Sequence, residues 1–453
     1  MRIMQDFVQE LFDFIGRSPT SAHTVETVRG MLLESGFEEL QESRPWKLRE
    51  GGCYFTTRGM TSLAAFRYTG RDFPAFSVVA PHGDSPCFKI KESPEKRVDG
   101  RYTRLNTEVY GGTALSLWLD RPLSAAGRLV VKTETGVRAV LADIRRDLFV
   151  IPSLAIHMNR DVNNGVPMKA NRDTLPLFGG EEADLLALMA ESAGVRREDV
   201  VSHDLYLYSR APGTRYGERE EFIACPRLDD LECVFSAVTA FRNACAASEG
   251  DLSADNTPAG DTPAVGNVPV CAVFDNEEIG SMTRQGADST LLRDVLLRIC
   301  HAAGKDADEQ AAAMAGSLML SADNAHAVHP NYADKADDTN RCYLNGGVVV
   351  KYSPRYATDA VSAAVFQRIC EGAGVPVQTY FNRSDMAGGS TLGNISNSHV
   401  SMGTVDIGLA QLAMHSPLET GGAADVAHMV NAMTAFYRAG ALETGSGEWN
   451  VNP

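Results

Sequence analysis

The 453-residue sequence contains no run of Lys or Arg, no CxxC pair, and no apolar stretch approaching the ~20 residues needed to cross a bilayer. Its 58 acidic against 42 basic side chains give a formal charge of −16, which on average repels a nucleic-acid backbone or an anionic membrane. Neither is expected as a partner. The nine Cys stand singly at 53, 87, 225, 233, 245, 271, 300, 342 and 370. Odd in number and scattered, they argue against a disulfide framework and against a thiolate zinc site. The opening MRIMQDFVQELFDFIGRSPTSAH is broken by Asp, Glu and Gln, so it lacks the continuous apolar region of a signal peptide. A soluble, cytoplasmic protein is expected. There is no internal repeat and no heptad pattern.

What is present reads as an ordinary globular enzyme. With 44% hydrophobic residues the chain can bury a large core, enough for two domains or for one domain carrying an insertion. Met4, Phe7, Val8, Leu11, Phe12 and Ile15 follow a helical period. Short apolar runs at 76–80, 270–274, 318–322 and 346–352 read as buried strands, and they are separated by helical patterns such as LDDLECVFSAVTAFRNAC and ATDAVSAAVFQRICEGAG. That alternation predicts an α/β sheet with helices on its faces. Residues 96–225 differ, with β-type segments such as GRLVVKTETGVRAVLADI and many turns, so a β-rich domain is expected there, inserted between 1–95 and 226–453. The stretch 246–269, rich in Ala, Gly, Pro, Asp and Thr, reads as a mobile surface loop.

The strongest chemical signal is VCAVFDNEEIGS, where a buried strand runs into Asp275, Asn276, Glu277 and Glu278. The carboxyl ends of strands line the ligand crevice of open α/β sheets. Two adjacent carboxylates there repel unless a cation or a proton separates their roles, one ligating a metal and the other taking a proton from water. An isolated Glu pair is ordinarily a solvated turn, but the strand-end pattern recurs. SVVAPHGDSP places His82 and Asp84 just past a strand, spaced so that the Asp can orient the His. LMLSADNAHAVHPNY brings Asp323, His326 and His329. ACPRLDDLECVF has Asp229 and Asp230 at a helix start, and His415 follows an apolar stretch. Such a set of His, Asp and Glu without Cys suits zinc, manganese or cobalt.

Across these and further blocks the chain resembles the aspartyl aminopeptidase family of co-catalytic metallopeptidases. The blocks are HGDSP, NTEVYGGTALSLWLDRPLSAAGRL, IPSLAIHMNRDVN, RLDDLECVF, DNEEIGS, SADNAHAVHPNY, NGGVVVKY and DIGLAQLAMHS. The resemblance implies a three-layer α/β peptidase domain with a central mixed sheet and an inserted β-rich dimerisation domain. It implies two divalent ions per subunit, zinc first and manganese or cobalt as alternatives. His82, Asp229 and Asp323 would hold one; Asp229 as a bridge, Glu278 and His415 would hold the other. Glu277 would be the general base, Asp84 the partner orienting His82, and His326 a neighbour of the site.

By the same resemblance Lys351 would face an acidic first side chain of the substrate, and His157 would reach the active site of a neighbouring subunit in a dodecamer. Peptides with a free N-terminus are the implied substrates. The chain departs from the family pattern at Gly83, where Thr is usual, in SDMAGGST, which lacks a Pro-Cys pair, and at Leu418, where Arg is common. These departures bear on substrate preference. A co-catalytic zinc carboxypeptidase or deacylase of the same fold, and a non-catalytic shell protein, are the alternatives.

Overall fold

Apolar strands in the middle of this chain supply two cores at once. In the strand Leu318–Ala322, Leu318, Leu320 and Ala322 join one hydrophobic cluster while Met319 joins another. In Phe76–Ala80, Val79 faces the first cluster, and Phe76, Val78 and Ala80 face the second. Side chains that alternate between two buried faces require a continuous apolar run, which is the pattern in the sequence. The computed structural model describes residues 6–250, 266–386, 388–389 and 391–451, with the backbone alone at 247–250. Met4, Ala387 and most of the stretch expected as a loop, 251–265, lie outside the described residues.

The central sheet has nine strands in the order Glu38–Glu39, Cys53–Arg58, Ser62–Arg67, Val268–Val273, Phe76–Ala80, Leu318–Ala322, Gly403–Gly408, Val348–Tyr352 and Val377–Phe381. Its four middle strands, from Val268–Val273 to Gly403–Gly408, run parallel; antiparallel pairs flank them, so the sheet is mixed. Helices Phe7–Arg17, Ser21–Glu34, Leu228–Gly250, Ala360–Gly372 and Ala423–Ala439 cover one face, and Leu291–Ala302 the other. This is the expected three-layer α/β arrangement. The first helix is capped by Asp6, whose carboxylate accepts from the Gln9 amide, and it buries Val8, Leu11, Phe14 and Ile15.

A second, antiparallel sheet of seven strands is built wholly from residues 87–209. Val200–Ser209 pairs with both Cys87–Val98 and Pro122–Lys132, which closes six of the strands into a ring. Closure leaves those strands without a free edge. Phe88, Leu105, Trp118, Leu129, Phe149, Leu185 and Leu205 belong to its own core. This sheet starts earlier than the 96–225 read from the sequence, because Cys87–Val98 is one continuous strand. It also stops sooner: Thr214–Tyr216 and Phe222–Cys225 belong to a five-stranded sheet with Glu419–Gly422, Ala410–Leu412 and Ala325–His326. None of the nine cysteines forms a disulfide.

His23, in the second helix, is buried, with Nδ1 2.8 Å from Thr20 Oγ1. Burial, aided by Arg145 and Arg227 against Asp143, lowers its pKa to about 4. The folded protein therefore keeps this ring neutral at a pH where the unfolded chain protonates it. Stability from this group is complete above about pH 6.5 and is lost as the pH falls from there toward 4. His23→Gln should reduce the loss of unfolding free energy between pH 7 and pH 4.5, followed by urea denaturation, by about 2 kcal/mol. An identical loss in the variant and the wild type would show that His23 does not titrate in this way.

Candidate metal centre

Each loop of the centre leaves the carboxyl end of a parallel strand or abuts one. His82 and Asp84 follow Phe76–Ala80, Glu277 and Glu278 follow Val268–Val273, and Asp323 follows Leu318–Ala322. Asp229 and Asp230 open the helix Leu228–Gly250 with non-helical backbone angles, so their side chains leave the helix surface. His415 sits in a left-handed conformation, φ 66°. That backbone is costly for a non-glycine residue and persists only when its surroundings fix it. Glu419 does so: one of its carboxylate oxygens accepts from the His415 amide at 2.7 Å and the other from the Asp229 amide at 3.0 Å.

Potential ligand atoms of His82, Asp229, Asp230 and Asp323 lie within 4.8 Å of one another, and so do those of Asp229, Glu278 and His415. Asp229 is common to both groups. His415 Nε2 is 3.3 Å from Asp229 Oδ2 and 3.5 Å from Glu278 Oε2, while His82 Nε2 is 3.8 Å from Asp229 Oδ1. A third group joins His82, Glu277 and Glu278. The five residues read from the sequence as metal ligands are thus brought together, with Glu277 beside them.

The imidazoles are aimed by their other nitrogens. His415 Nδ1 donates to the Gly112 carbonyl at 2.8 Å, and His82 Nδ1 to the Asp84 carbonyl at 3.2 Å. A carbonyl only accepts, so each Nδ1 carries hydrogen and each Nε2 is turned toward the carboxylates. Asp84 also receives the Glu277 amide on Oδ1 and the Glu278 amide on Oδ2, which ties the His82 loop to the Glu loop. The His82 amide donates to Asp230 Oδ2.

Electrostatically the site is starved of positive charge. Asp229 Oδ1, Asp230 Oδ1 and Glu278 Oε1 are buried with no hydrogen-bond partner. Burial raises the pKa of Glu278 and Asp230 well above the carboxylate range. Burial, with repulsion from Asp323, Asp84 and Asp229 and against the pull of His82, brings Glu277 to about 7. For His415, burial is outweighed by Asp229 and Glu278, and its pKa rises to about 10. Buried, unpartnered oxygens of this kind fit a divalent cation, and the His and carboxylate donors with no sulfur fit zinc.

The sequence matches the family described as aminopeptidase I zinc metalloprotease (M18) over residues 14–437. The chain belongs to this family. It is 42% identical over 445 residues to the "Probable M18 family aminopeptidase 2" of Clostridium acetobutylicum, covering 95% of this chain and 98% of that one. Among solved structures it resembles a complex of Ape4 with Nbr1 (TM-score 0.88, 33% identity, 96% of this chain and 85% of that chain). It also resembles the S. cerevisiae mApe1 dodecamer (TM-score 0.81, 29% identity, 96% of each chain). The protein is therefore a zinc metalloaminopeptidase of the M18 family.

Three further residues singled out in the sequence lie outside the donor groups. Lys351 is only 2% exposed, and its ammonium donates to Asp323 Oδ2 at 3.1 Å and to the Asn324 carbonyl at 3.2 Å. It sits behind a candidate ligand instead of facing open substrate space. His326 has an exposed edge, packs on the Tyr380 ring and feels the charges of Asp229, Lys351 and Asp323, as a neighbour of the site would. His157 lies on an exposed one-turn helix flanking the seven-stranded sheet and belongs to none of the donor groups among the described residues. The departure at Gly83 has a local reason: a Cβ there would come within 3.3 Å of both Thr24 and Val273. Sequence reasoning missed Glu419, Gly112 and Tyr110, whose roles depend on contacts between distant segments. Only the Glu in HSPLE stood near a singled-out residue.

Because folding leaves carboxylate oxygens unpartnered, added zinc should raise the melting temperature of chelator-stripped protein by several degrees. Asp229→Ala, which removes the carboxylate common to both donor groups, should abolish most of that rise. His415→Ala should remove only part of it. An undiminished rise in Asp229→Ala would place the metal elsewhere.

Proposed function

We propose that this aminopeptidase is of the aspartyl aminopeptidase type, removing the N-terminal residue of peptides with two divalent ions, zinc first and manganese or cobalt as alternatives. His82, Asp229 and Asp323 would hold one ion; Asp229, Glu278 and His415 the other. The carrying observation is the place of Asp229 in both donor groups. When bound, such ions polarise the scissile carbonyl and acidify the attacking water. Glu277, placed beside His82 and Glu278, would take the proton from that water and return it to the leaving amine. Asp84 keeps His82 oriented through this cycle. A free substrate amine would complete the site and restrict cleavage to chain ends.

Assembly enters the same reading. Leu154, Ile156, Met158, Val162 and Val166 are all exposed along the segment that carries His157. Apolar surface concentrated in this way suits contact with a second copy. We infer that the inserted β-rich domain mediates contacts within a homo-oligomer, a dodecamer as in the mApe1 neighbour, where His157 would approach another subunit's site. Nine cysteines without a disulfide, and the acidic composition, suit the cytoplasm.

The general-base role is tested by Glu277→Gln, which should keep its metal and lose about two to four orders of magnitude in turnover. Turnover near the wild-type rate would remove Glu277 from that role.

The preference for N-terminal Asp or Glu requires the Lys351 ammonium to exchange Asp323 for the substrate carboxylate, one buried charge pair for another. Such charge-assisted contacts contribute about 1.5–3 kcal/mol, or one to two decades in kcat/KM. On a panel of N-terminal Asp, Glu, Leu and Lys peptides, with N-acetylated controls, the acidic ones should lead and the acetylated ones should not be cleaved. Lys351→Ala should erase the lead while sparing the Leu peptide. A parallel fall on every substrate would instead show that Lys351 serves Asp323 alone, and cleavage of acetylated peptides would favour a deacylase.

A further inference from the structure

The motif NTEVYGGTALSLWLDR has no part in the ligand set, yet it crosses the centre. Its strand, Tyr102–Tyr110, belongs to the seven-stranded sheet and ends on Tyr110, whose hydroxyl donates to Asp84 Oδ2 at 2.7 Å and accepts from Asn276 Nδ2 at 2.9 Å. Gly111 follows in the left-handed region, φ +76°, so close to Glu278 that a Cβ would come 3.1 Å from the Glu278 Cβ. Gly112 supplies the carbonyl that accepts from His415 Nδ1. Thr113 Oγ1 donates to the His415 carbonyl at 3.3 Å and accepts from Trp118 Nε1 at 2.7 Å. Trp118 is 3% exposed and meets Phe88 edge to face, ring centroids 5.2 Å apart, in the core of the seven-stranded sheet.

We propose that residues 110–113 form a positioning strap through which the seven-stranded sheet holds Asp84, Glu278 and His415 in register for metal binding, with Tyr110 and Thr113 as its positioning residues. The inference rests on reading His82, Glu278 and His415 as metal ligands. The need for a strap is physical. His415 lies on a half-exposed loop in a strained conformation, and the carboxylates it faces repel one another. Gly112 fixes its ring from the side opposite the carboxylates. Gly111 has a reason of its own, since any side chain there would be strained by its φ and pressed against Glu278.

Zinc titration of the metal-free full-length protein against a chromophoric chelator tests the strap, together with the visible absorption of the cobalt-substituted form. Tyr110→Phe and Thr113→Val each delete one hydroxyl and its two hydrogen bonds. Each should weaken metal binding about ten- to a hundredfold and change the cobalt spectrum, while circular dichroism and subunit assembly match the wild type. Tyr102→Phe, an exposed position on the same strand, should match the wild type throughout. If Tyr110→Phe does not fold, Thr113→Val decides alone through the His415 arm. Wild-type affinity and cobalt spectrum in the folded strap variants would overturn the strap and leave the metal reading standing. A wild-type protein that binds no zinc would overturn both.

Discussion

Negative charge gathered where water cannot reach is the constraint on which this structure turns. Asp84, Asp229, Asp230, Glu232 and Glu419 are buried around one point, with Glu277, Glu278 and Asp323 at its rim. Lys351 bonds directly to Asp323, and His415, its pKa raised to about 10, faces Asp229 and Glu278. Carboxylates in a low-dielectric pocket ionise together only if positive charge joins them. Much of the surrounding architecture answers that problem. Backbone amides are aimed at Asp84 and Glu419, two imidazoles point inward, and the remaining oxygens face one another across a space suited to divalent cations.

The arrangement also explains why two sheets of different construction meet here. The mixed nine-stranded sheet presents His82, Asp84, Glu277, Glu278 and Asp323 just past its strand ends, whereas His415 lies between Ala410–Leu412 and Glu419–Gly422 of the five-stranded sheet. The closed antiparallel sheet reaches the same residues through Tyr110 and Gly112. Glu419 performs a related task from within the five-stranded sheet, joining Asp229 to His415. The candidate site is thus shared among three sheets.

Much of this was legible in the sequence, for reasons that are local. Phe76–Ala80 and Leu318–Ala322 coincide with apolar runs because both their faces are buried. His82, Glu277, Glu278 and Asp323 stand out because polar residues just after such runs are conspicuous, Asp229 because it opens a helix, and His415 because it follows an apolar stretch. What stayed hidden depends on partners far apart in the chain. The Gly112 carbonyl and the His415 ring are separated by 303 positions, and Tyr110 and Asn276 by 166. The Lys351 side chain reads as a strand-end cation, and only the fold reveals that Asp323 occupies it. The limits of the inserted sheet were blurred because Cys87–Val98 begins within the segment assigned to the peptidase, and alternation alone does not say which sheet a strand will join.

The order of strands has a consequence for biosynthesis. Phe76–Ala80 lies between Val268–Val273 and Leu318–Ala322, so when it leaves the ribosome neither neighbour exists. The seven-stranded sheet draws on residues 87–209 alone and can close while the peptidase sheet is still half made. The nascent chain thus passes through a stage in which one finished barrel carries an unpaired apolar strand on its N-terminal side. Exposed strands of this sort are sticky, and their hazard grows with the time spent waiting for distant partners. The slowest step in making this enzyme should therefore be the return of its C-terminal half to an N-terminal strand that has been waiting since the start of synthesis.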